Sequence, residues 1–460
     1  MLPPQLIKSL EGVKGFNSKA FEAVHVSGEQ VTSVRFNLAK WSTVHRPPST
    51  EEQPSSVNRH LSSVPWCDHG YYLSSRPSFT FDPLFHAGAY YVQEASSMFL
   101  WEVLKQTVGN STQKKVLDLC AAPGGKSTLL ASYFTDGLIV SNEVIKSRAA
   151  ILTENIIKWG ADNVVVTNND PKDFQRLENY FDVIVIDAPC SGSGLFRKDA
   201  NAINEWSEEN VNLCSLRQQR IVADVLPSLK QNGILIYSTC SYSKQEDEDV
   251  LDWIVDNCHL SSINCHLNND WNIIEVTSDK HQAHGYRFYP DKIKGEGFFI
   301  TAFKKINGEE ESYQLEQNLF YPNKIELEQL QHFIPLPQEY KVFKQNETLR
   351  AIKEVWLTSL KNLAKHLYIK KAGVELGTIK GKDFIPSHEL AVSQLPLQSL
   401  AVIELQKEDA LLYLKRKELV VVAPKGWTLV TYCGLPLGWI KVLPNRINNY
   451  YPQEWRILKD

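Results

Sequence analysis

The sequence predicts an α/β protein built on a doubly wound, mainly parallel sheet. From Lys114 onward, short and almost wholly apolar runs alternate with helical patterns. Each run ends in polar or acidic residues. The first passes straight into a turn of small residues, Cys120-Ala121-Ala122-Pro123-Gly124-Gly125-Lys126. Strands that are apolar throughout and separated by helices belong to a parallel sheet covered on both faces.

In chain order, residues 1–105 are mixed. Ala23–Val26 and Val31–Phe36 read as strands, and the Ser/Pro-rich stretch from Arg46 to Val64 as a surface loop. The core strands are expected at Val116–Cys120, Leu138–Glu143, Val164–Asn168, Phe181–Asp187 and Gly233–Cys240, with helices such as Ser147–Trp159 and Val211–Lys230 between them. Trp271–Val276 and Gly297–Lys304 would complete seven strands. Asn307–Ser312 is polar and acidic and reads as a linker. Residues 320–375 read as helical, and residues 376–460 return to short strands such as Glu418–Ala423 and Trp427–Tyr432. The expected organisation is therefore an N-terminal α+β extension (1–110), the α/β core (111–306), a linker with a helical segment (307–375) and a β-rich C-terminal domain (376–460).

The composition supports a globular chain: 43% of the 460 residues are hydrophobic and 22% charged. No apolar run is long enough for a membrane span, and the start, Met1-Leu2-Pro3-Pro4, lacks the apolar stretch of a signal peptide. A secreted protein or a channel is thus disfavoured. None of the 8 cysteines forms a Cys-x-x-Cys pair, which argues against a disulfide framework or a structural metal and for a reducing cytoplasm. Most of these thiols are expected to be buried small apolar groups. The net charge of −4 hides an asymmetry: residues 1–320 carry −10 and residues 321–460 carry +6. A positive excess on one segment is compatible with a polyanionic partner.

The chemistry collects at strand ends. A glycine-rich turn after the first strand lets backbone approach a ligand above a helix N-terminus. Gly125-Lys126-Ser127 matches the end of a Walker A loop, but position 120 is cysteine where that loop needs glycine, which disfavours an ATPase. Glu143 ends the second strand, 20 residues after Pro123, a distance suited to ribose hydroxyls. Asp170 follows the third strand; it would accept from an adenine amino group, or merely cap a turn. The fourth strand ends in Asp187-Ala188-Pro189-Cys190-Ser191-Gly192, and the fifth in Ser238-Thr239-Cys240-Ser241. Parallel strands joined by a helical crossover commonly lie side by side, so Cys190 and Cys240 should meet in the crevice where open α/β sheets bind ligands. One cysteine at a strand end is usually packing; two above an adenosine site are much less easily dismissed.

These three motifs resemble those of the S-adenosylmethionine-dependent RNA cytosine-C5 methyltransferases of the NOL/NOP/Sun family. Tyr91–Ser97 is also similar, so the resemblance covers residues 80–305 at least. Gly426–Val430, Gly434–Lys441 and Asn445–Pro452 are similar to the PUA-like RNA-binding tail of bacterial RsmF-type ribosomal RNA methyltransferases, and the N-terminal residues loosely to the extension of the same enzymes. The resemblance implies a seven-stranded Rossmann-like methyltransferase core. It implies Cys240 as the nucleophile on C6 of a cytosine, Cys190 as the group that helps release product, and Asp187 at both base and cofactor. It implies that Cys120–Lys126 hold the methionine end of S-adenosylmethionine, Glu143 the ribose and Asp170 the adenine, with Arg148 lining the site. Glu143 stands where several relatives use Asp.

The chemistry is sensible. C5 of cytosine is a poor nucleophile; a thiolate added at C6 places electron density on C5, and the base must first leave its stack. Arg197, Lys198, Arg217 and Arg220 are candidate phosphate contacts. The expected partner is RNA, ribosomal RNA or a ribosomal subunit, with no membrane, no metal and a monomeric enzyme. Transfer RNA as substrate, or an idle RNA-binding assembly factor, are the alternatives; the intact cysteine pair speaks against idleness. An amino-methylating enzyme would want Asn/Asp-Pro-Pro-aromatic after the fourth strand, where this chain has Asp187-Ala188-Pro189-Cys190.

Overall fold

Seven strands of the core lie in the order 3-2-1-4-5-7-6: β1 (Lys115–Asp118), β2 (Leu138–Asn142), β3 (Val164–Thr167), β4 (Phe181–Asp187), β5 (Leu229–Thr239), β6 (His284–Phe288) and β7 (Phe298–Lys305). The computed structural model describes residues 2–41, 61–109, 111–306, 318–331, 333–381, 383–398 and 400–459. Most of the Arg46–Val64 loop and the Asn307–Ser312 linker expected from the sequence lie outside them. β1 to β5 are parallel and β7 inserts antiparallel beside β5. Val164, Val165 and Val166 of β3 and Ile184, Val185 and Ile186 of β4 are fully buried, because helices cover both faces of the sheet at its centre.

The sheet is wider than seven strands. Ile274–Thr277 pairs with β6, Leu260–Ser262 with β7, and Ile369–Lys371 adds antiparallel to β3, making ten. The expected strand at Trp271–Val276 is thus the outermost one, and β6 is the strand the sequence hides. β6 reads His-Gly-Tyr-Arg-Phe, and its Arg287 is buried on an ion pair rather than exposed. Its polar positions therefore do not mark a solvent face.

Other local expectations change too. Ala23–Val26 belongs to the helix Ser18–Val26, whose Asn17 cap accepts from the Ala20 N–H. Glu418–Ala423 forms no strand, and Val420 and Val422 are exposed. Within 320–375 two helices, Lys324–Gln331 and Leu357–His366, flank the hairpin Tyr340–Gln345/Thr348–Lys353. That hairpin joins Val374–Lys380 and Asp383–Pro386 in one sheet, so a sheet spans residue 376. A further four-stranded sheet is formed by Ala401–Glu404, Gly426–Tyr432, Leu435–Leu443 and Arg446–Asn449.

The N-terminal residues form an antiparallel sheet that includes Thr32–Phe36 and Tyr90–Val92. It is tied to the core by the fully buried Arg35. Its Nε donates to Gln93 Oε1 at 2.9 Å and its Nη2 to Thr128 Oγ1 at 2.6 Å, with the guanidinium over the Trp159 ring. Burial lowers the Arg35 pKa to about 10, so it stays charged at neutral pH.

Candidate active site

The strand order reverses at β1, whose neighbours are β2 on one side and β4 on the other. Loops at the C-terminal ends of those strands diverge and leave a crevice. The turn after β1 fills one side. Gly124 has φ of +116°, a conformation that favours glycine, and it caps helix α1 (Gly125–Tyr133). The carbonyls of the turn are held from helix α2 (Lys146–Trp159): Arg148 Nη2 donates to Ala122 O and Asn155 Nδ2 to Pro123 O, each at 2.8 Å. The Ala121 N–H donates to Asn142 O at 2.8 Å. Cys120 is half-buried, and desolvation pushes its thiol far up, so it contributes shape rather than a thiolate.

Acidic groups surround this turn. Glu143 is buried at the end of β2; it accepts from the Ile145 N–H at 2.9 Å and faces Arg148 Nη1 at 3.5 Å. Asp170 caps the short helix Pro171–Arg176, its Oδ1 accepting from the Lys172 N–H at 3.2 Å. Asp118 at the end of β1 is fully buried. Ser127 Oγ donates to its Oδ2 at 2.6 Å, while Oδ1 has no hydrogen-bond partner. Burial raises the Asp118 pKa to about 7. A buried carboxylate oxygen left without a donor, under a glycine turn, suits a cationic ligand.

The two cysteines meet as the topology requires: Cys190 Sγ and Cys240 Sγ are 3.1 Å apart. Neither is in a disulfide, and both are partly exposed. The β4 and β5 loops are laced together around them. The Gly194 N–H donates to Cys240 O at 2.7 Å, and the Tyr242 N–H to Ser193 Oγ at 2.9 Å. Gly194 is required here, since a Cβ would lie 2.6 Å from Cys240 O. The contact with Cys240, together with burial, raises the Cys190 thiol well above its ordinary value, so Cys190 carries its proton at neutral pH. Asp187 joins both regions: Ser238 Oγ donates to its Oδ1 at 2.9 Å and Lys126 Nζ lies 2.9 Å from its Oδ2. Lys126 is thus held in a mostly buried salt bridge.

Among the basic candidates, Arg197 is not a free phosphate contact. Its side chain is buried, facing Glu296 at 3.4 Å and donating to Gly295 O and Glu29 O. Lys198, Arg217 and Arg220 are exposed. Sequence reading missed Asp118, Ser127, Gln218 and Glu246. Glu246 sits in Glu246-Asp247-Glu248-Asp249, which reads as a solvated acidic run, yet the first three are buried. Asp247 and Glu248 pair with Arg287, and Thr239 Oγ1 donates to Asp247 Oδ1 at 2.7 Å.

A glycine turn at the switch point of this strand order, with acidic groups around it, defines an S-adenosylmethionine-dependent methyltransferase. Three family profiles match along the chain: "16S rRNA methyltransferase RsmB/F" over residues 106–304, "N-terminal domain of 16S rRNA methyltransferase RsmF" over 2–95 and "Methyltransferase RsmF PUA domain" over 400–457. A protein named ribosomal RNA small subunit methyltransferase F from Aliivibrio fischeri is 31% identical, covering 92% of this chain and 90% of that one. Its namesake from Psychromonas ingrahamii is 30% identical, covering 86% and 85%. The chain belongs to the RsmB/F family of 16S rRNA methyltransferases. Among solved structures, a methyltransferase homolog protein from Pyrococcus horikoshii has a TM-score of 0.51 at 27% identity, covering 66% of this chain and 100% of that one. NSun6 from the same organism, solved with SFG, has a TM-score of 0.53 at 18% identity over 66% of this chain and 99% of that one, and shares the fold.

Among the described residues, no helix is long and apolar enough to cross a membrane, and no group of three or more His, Cys, Asp or Glu side chains is placed to hold a metal ion.

Proposed function

We propose that this protein methylates C5 of a cytosine in small-subunit ribosomal RNA through a covalent Cys240–C6 adduct. The observation that carries the reading is the 3.1 Å approach of Cys190 and Cys240 beside the Lys126–Asp187 pair. S-adenosylmethionine supplies an electrophilic methyl group on a sulfonium. The residues that would hold it are the Cys120–Lys126 turn at the methionine end, Glu143 at the ribose, and Asp170 at the adenine. The orphaned Asp118 oxygen and the acidic rim suit its cationic charge.

The side chains then divide the work. Cys240 gives up its proton to solvent and attacks C6; the C5–C6 π pair moves onto C5, which becomes nucleophilic. Asp187 orients the ring edge of the base, held in turn by Lys126 and Ser238. After methylation C5 carries both a methyl group and a proton. Loss of that proton to a base restores the double bond and expels the Cys240 sulfur. Cys190, protonated and in contact with that sulfur, donates its proton to the departing thiolate. The nucleophilic role of Cys240 is supported by the resemblance of its Ser238-Thr239-Cys240-Ser241 motif to that of the family.

The N-terminal extension (1–110) and the C-terminal segment (376–460) would bind RNA around this core, helped by the +6 charge of residues 321–460. A surface cleft of about 620 Å³ that includes Arg416, Lys417 and the half-buried Tyr450 offers cations and an aromatic ring together. The enzyme is read as a cytoplasmic monomer that needs no metal. Bisulfite sequencing of 16S rRNA from a strain lacking the protein should show one cytosine losing its methyl mark. An unchanged pattern there, with a lost site in transfer RNA, would reassign the substrate.

A further inference from the structure

Glu246 lies six residues beyond Cys240, on the short helical turn Lys244–Glu246. Its side chain is fully buried, yet its two oxygens accept four hydrogen bonds. Oε1 accepts from the Ser191 N–H at 2.8 Å and from Gln218 Nε2 at 3.1 Å. Oε2 accepts from Ser191 Oγ at 2.5 Å and from Ser241 Oγ at 2.6 Å. Ser191 follows Cys190 and Ser241 follows Cys240, so one carboxylate grips both cysteine loops. Gln218, on α3 (Glu208–Val225), also donates to Pro189 O at 3.1 Å and fixes the first loop from outside.

We propose that Glu246 is a positioning residue for the methyl-transfer reaction, clamping the two cysteine loops so that Cys190 and Cys240 stay in register. The proposal rests on the paired-thiol reading above. The direct bonds between the loops run through Ser193, Gly194 and Tyr242, while the residues next to the thiols barely reach each other: Ser191 Oγ and Ser241 Oγ lie 3.4 Å apart, at the limit of a direct bond. The carboxylate between them satisfies both hydroxyls at shorter distances. Its negative charge also opposes ionisation of the adjacent Cys190 thiol. Burial raises the Glu246 pKa above its ordinary value, and the four donors oppose that rise by favouring the carboxylate. Glu246 touches no reacting atom and acts through the loops.

The test uses the full-length protein with the variants Glu246→Gln and Glu246→Ala. Gln is isosteric: its carbonyl can still accept from the Ser191 N–H and Gln218, and its amide can face the two hydroxyls once they rotate to accept. This variant should therefore fold with the charge gone and the clamp altered. The first measurement needs no RNA. Phenylarsine oxide bridges two adjacent thiols, forming two As–S bonds and releasing one water. The wild type should bind one equivalent that is lost in both Cys190→Ala and Cys240→Ala. Glu246→Ala should weaken that binding by about tenfold or more. In Glu246→Gln, alkylation of Cys190 by iodoacetamide, followed site by site by mass spectrometry, should reach its midpoint at lower pH than in wild type. The second measurement is turnover: kcat should fall by about 10²-fold in Glu246→Ala, as for a misplaced reacting group, with KM for S-adenosylmethionine within about twofold of wild type.

A simple folding staple would not move the Cys190 pH midpoint. Wild-type arsenical affinity in Glu246→Ala, or an unmoved Cys190 midpoint in Glu246→Gln, overturns the clamp. If Glu246→Ala does not fold, the Glu246→Gln midpoint decides. Failure of the paired-thiol reading shows separately, as methyl transfer that survives Cys240→Ala.

Discussion

Lys126 Nζ lies 2.9 Å from Asp187 Oδ2, joining the glycine turn after β1 to the first cysteine motif after β4. The ammonium is mostly buried and also sits over the Phe298 ring. Any rotation of the turn is therefore felt at Asp187, and through Ser238 at the β5 loop. Lys126→Met should leave Asp187 without its cation and lower kcat by about 10²-fold through misplacement. Single-turnover transfer of a labelled methyl group checks it. A wild-type rate would remove Lys126 from the site.

Cys240→Ala should abolish methyl transfer while leaving S-adenosylmethionine affinity within about twofold of wild type, because the thiol is assigned to the acceptor and not to the cofactor. Calorimetry and a labelled-methyl assay measure the two quantities.

Cys190→Ala should do the opposite on the acceptor side. Attack at C6 remains possible, but the departing sulfur loses its proton donor. A protein–RNA species that survives denaturing gel electrophoresis should accumulate. Normal turnover with no such species would take the release role away from Cys190.

Asp118 supplies a pH dependence. Its carboxyl is raised to about 7 by burial, against an ordinary value of 3.8. Between those values the folded protein binds more protons at this group than the unfolded chain, so its contribution to stability is fully present below about 3.8 and is lost as pH rises towards 7. A cationic ligand favours the ionised form, so S-adenosylmethionine affinity should improve with rising pH through 7. The slope is at most about tenfold per pH unit below 7. Titration calorimetry from pH 6 to 8 measures it, and Asp118→Asn should flatten the profile.

Arg35→Met should loosen the N-terminal sheet from the core. It leaves Gln93 Oε1 without the Arg35 donor and removes the guanidinium from Trp159. A loss of about 2–3 kcal/mol is expected, read by chemical denaturation. Limited proteolysis should then cut between the extension and the core.

Five parallel core strands and their order along the chain were legible because each is a short apolar run. The glycine turn, Glu143 and both cysteines were legible because chemistry at a strand end stands out against such a run. β6 was not: in His-Gly-Tyr-Arg-Phe only two positions are apolar side chains, and Arg287 is acceptable inside only because Asp247 and Glu248 face it. The helical reading of 320–375 missed a hairpin for a related reason: its strands Tyr340–Gln345 and Thr348–Lys353 are half polar and gain their apolar cover from other segments. Arg197 looked like a surface cation until Glu296 was seen beside it.

The sequence by itself determined the alternation of strands and helices, the place of the glycine turn and the strand-end positions of the two thiols, since local apolar periodicity and strand-end residues carry that information. Only the tertiary structure decided that the thiols touch, that Asp118 keeps an unpartnered oxygen, and that Glu246 is an internal clamp rather than a solvated charge. The physical reason is that hydrogen bonding and burial of a charged group are set by partners far away in the chain. Identical acidic residues in one short run can face water or the interior, and only the packed neighbours distinguish them.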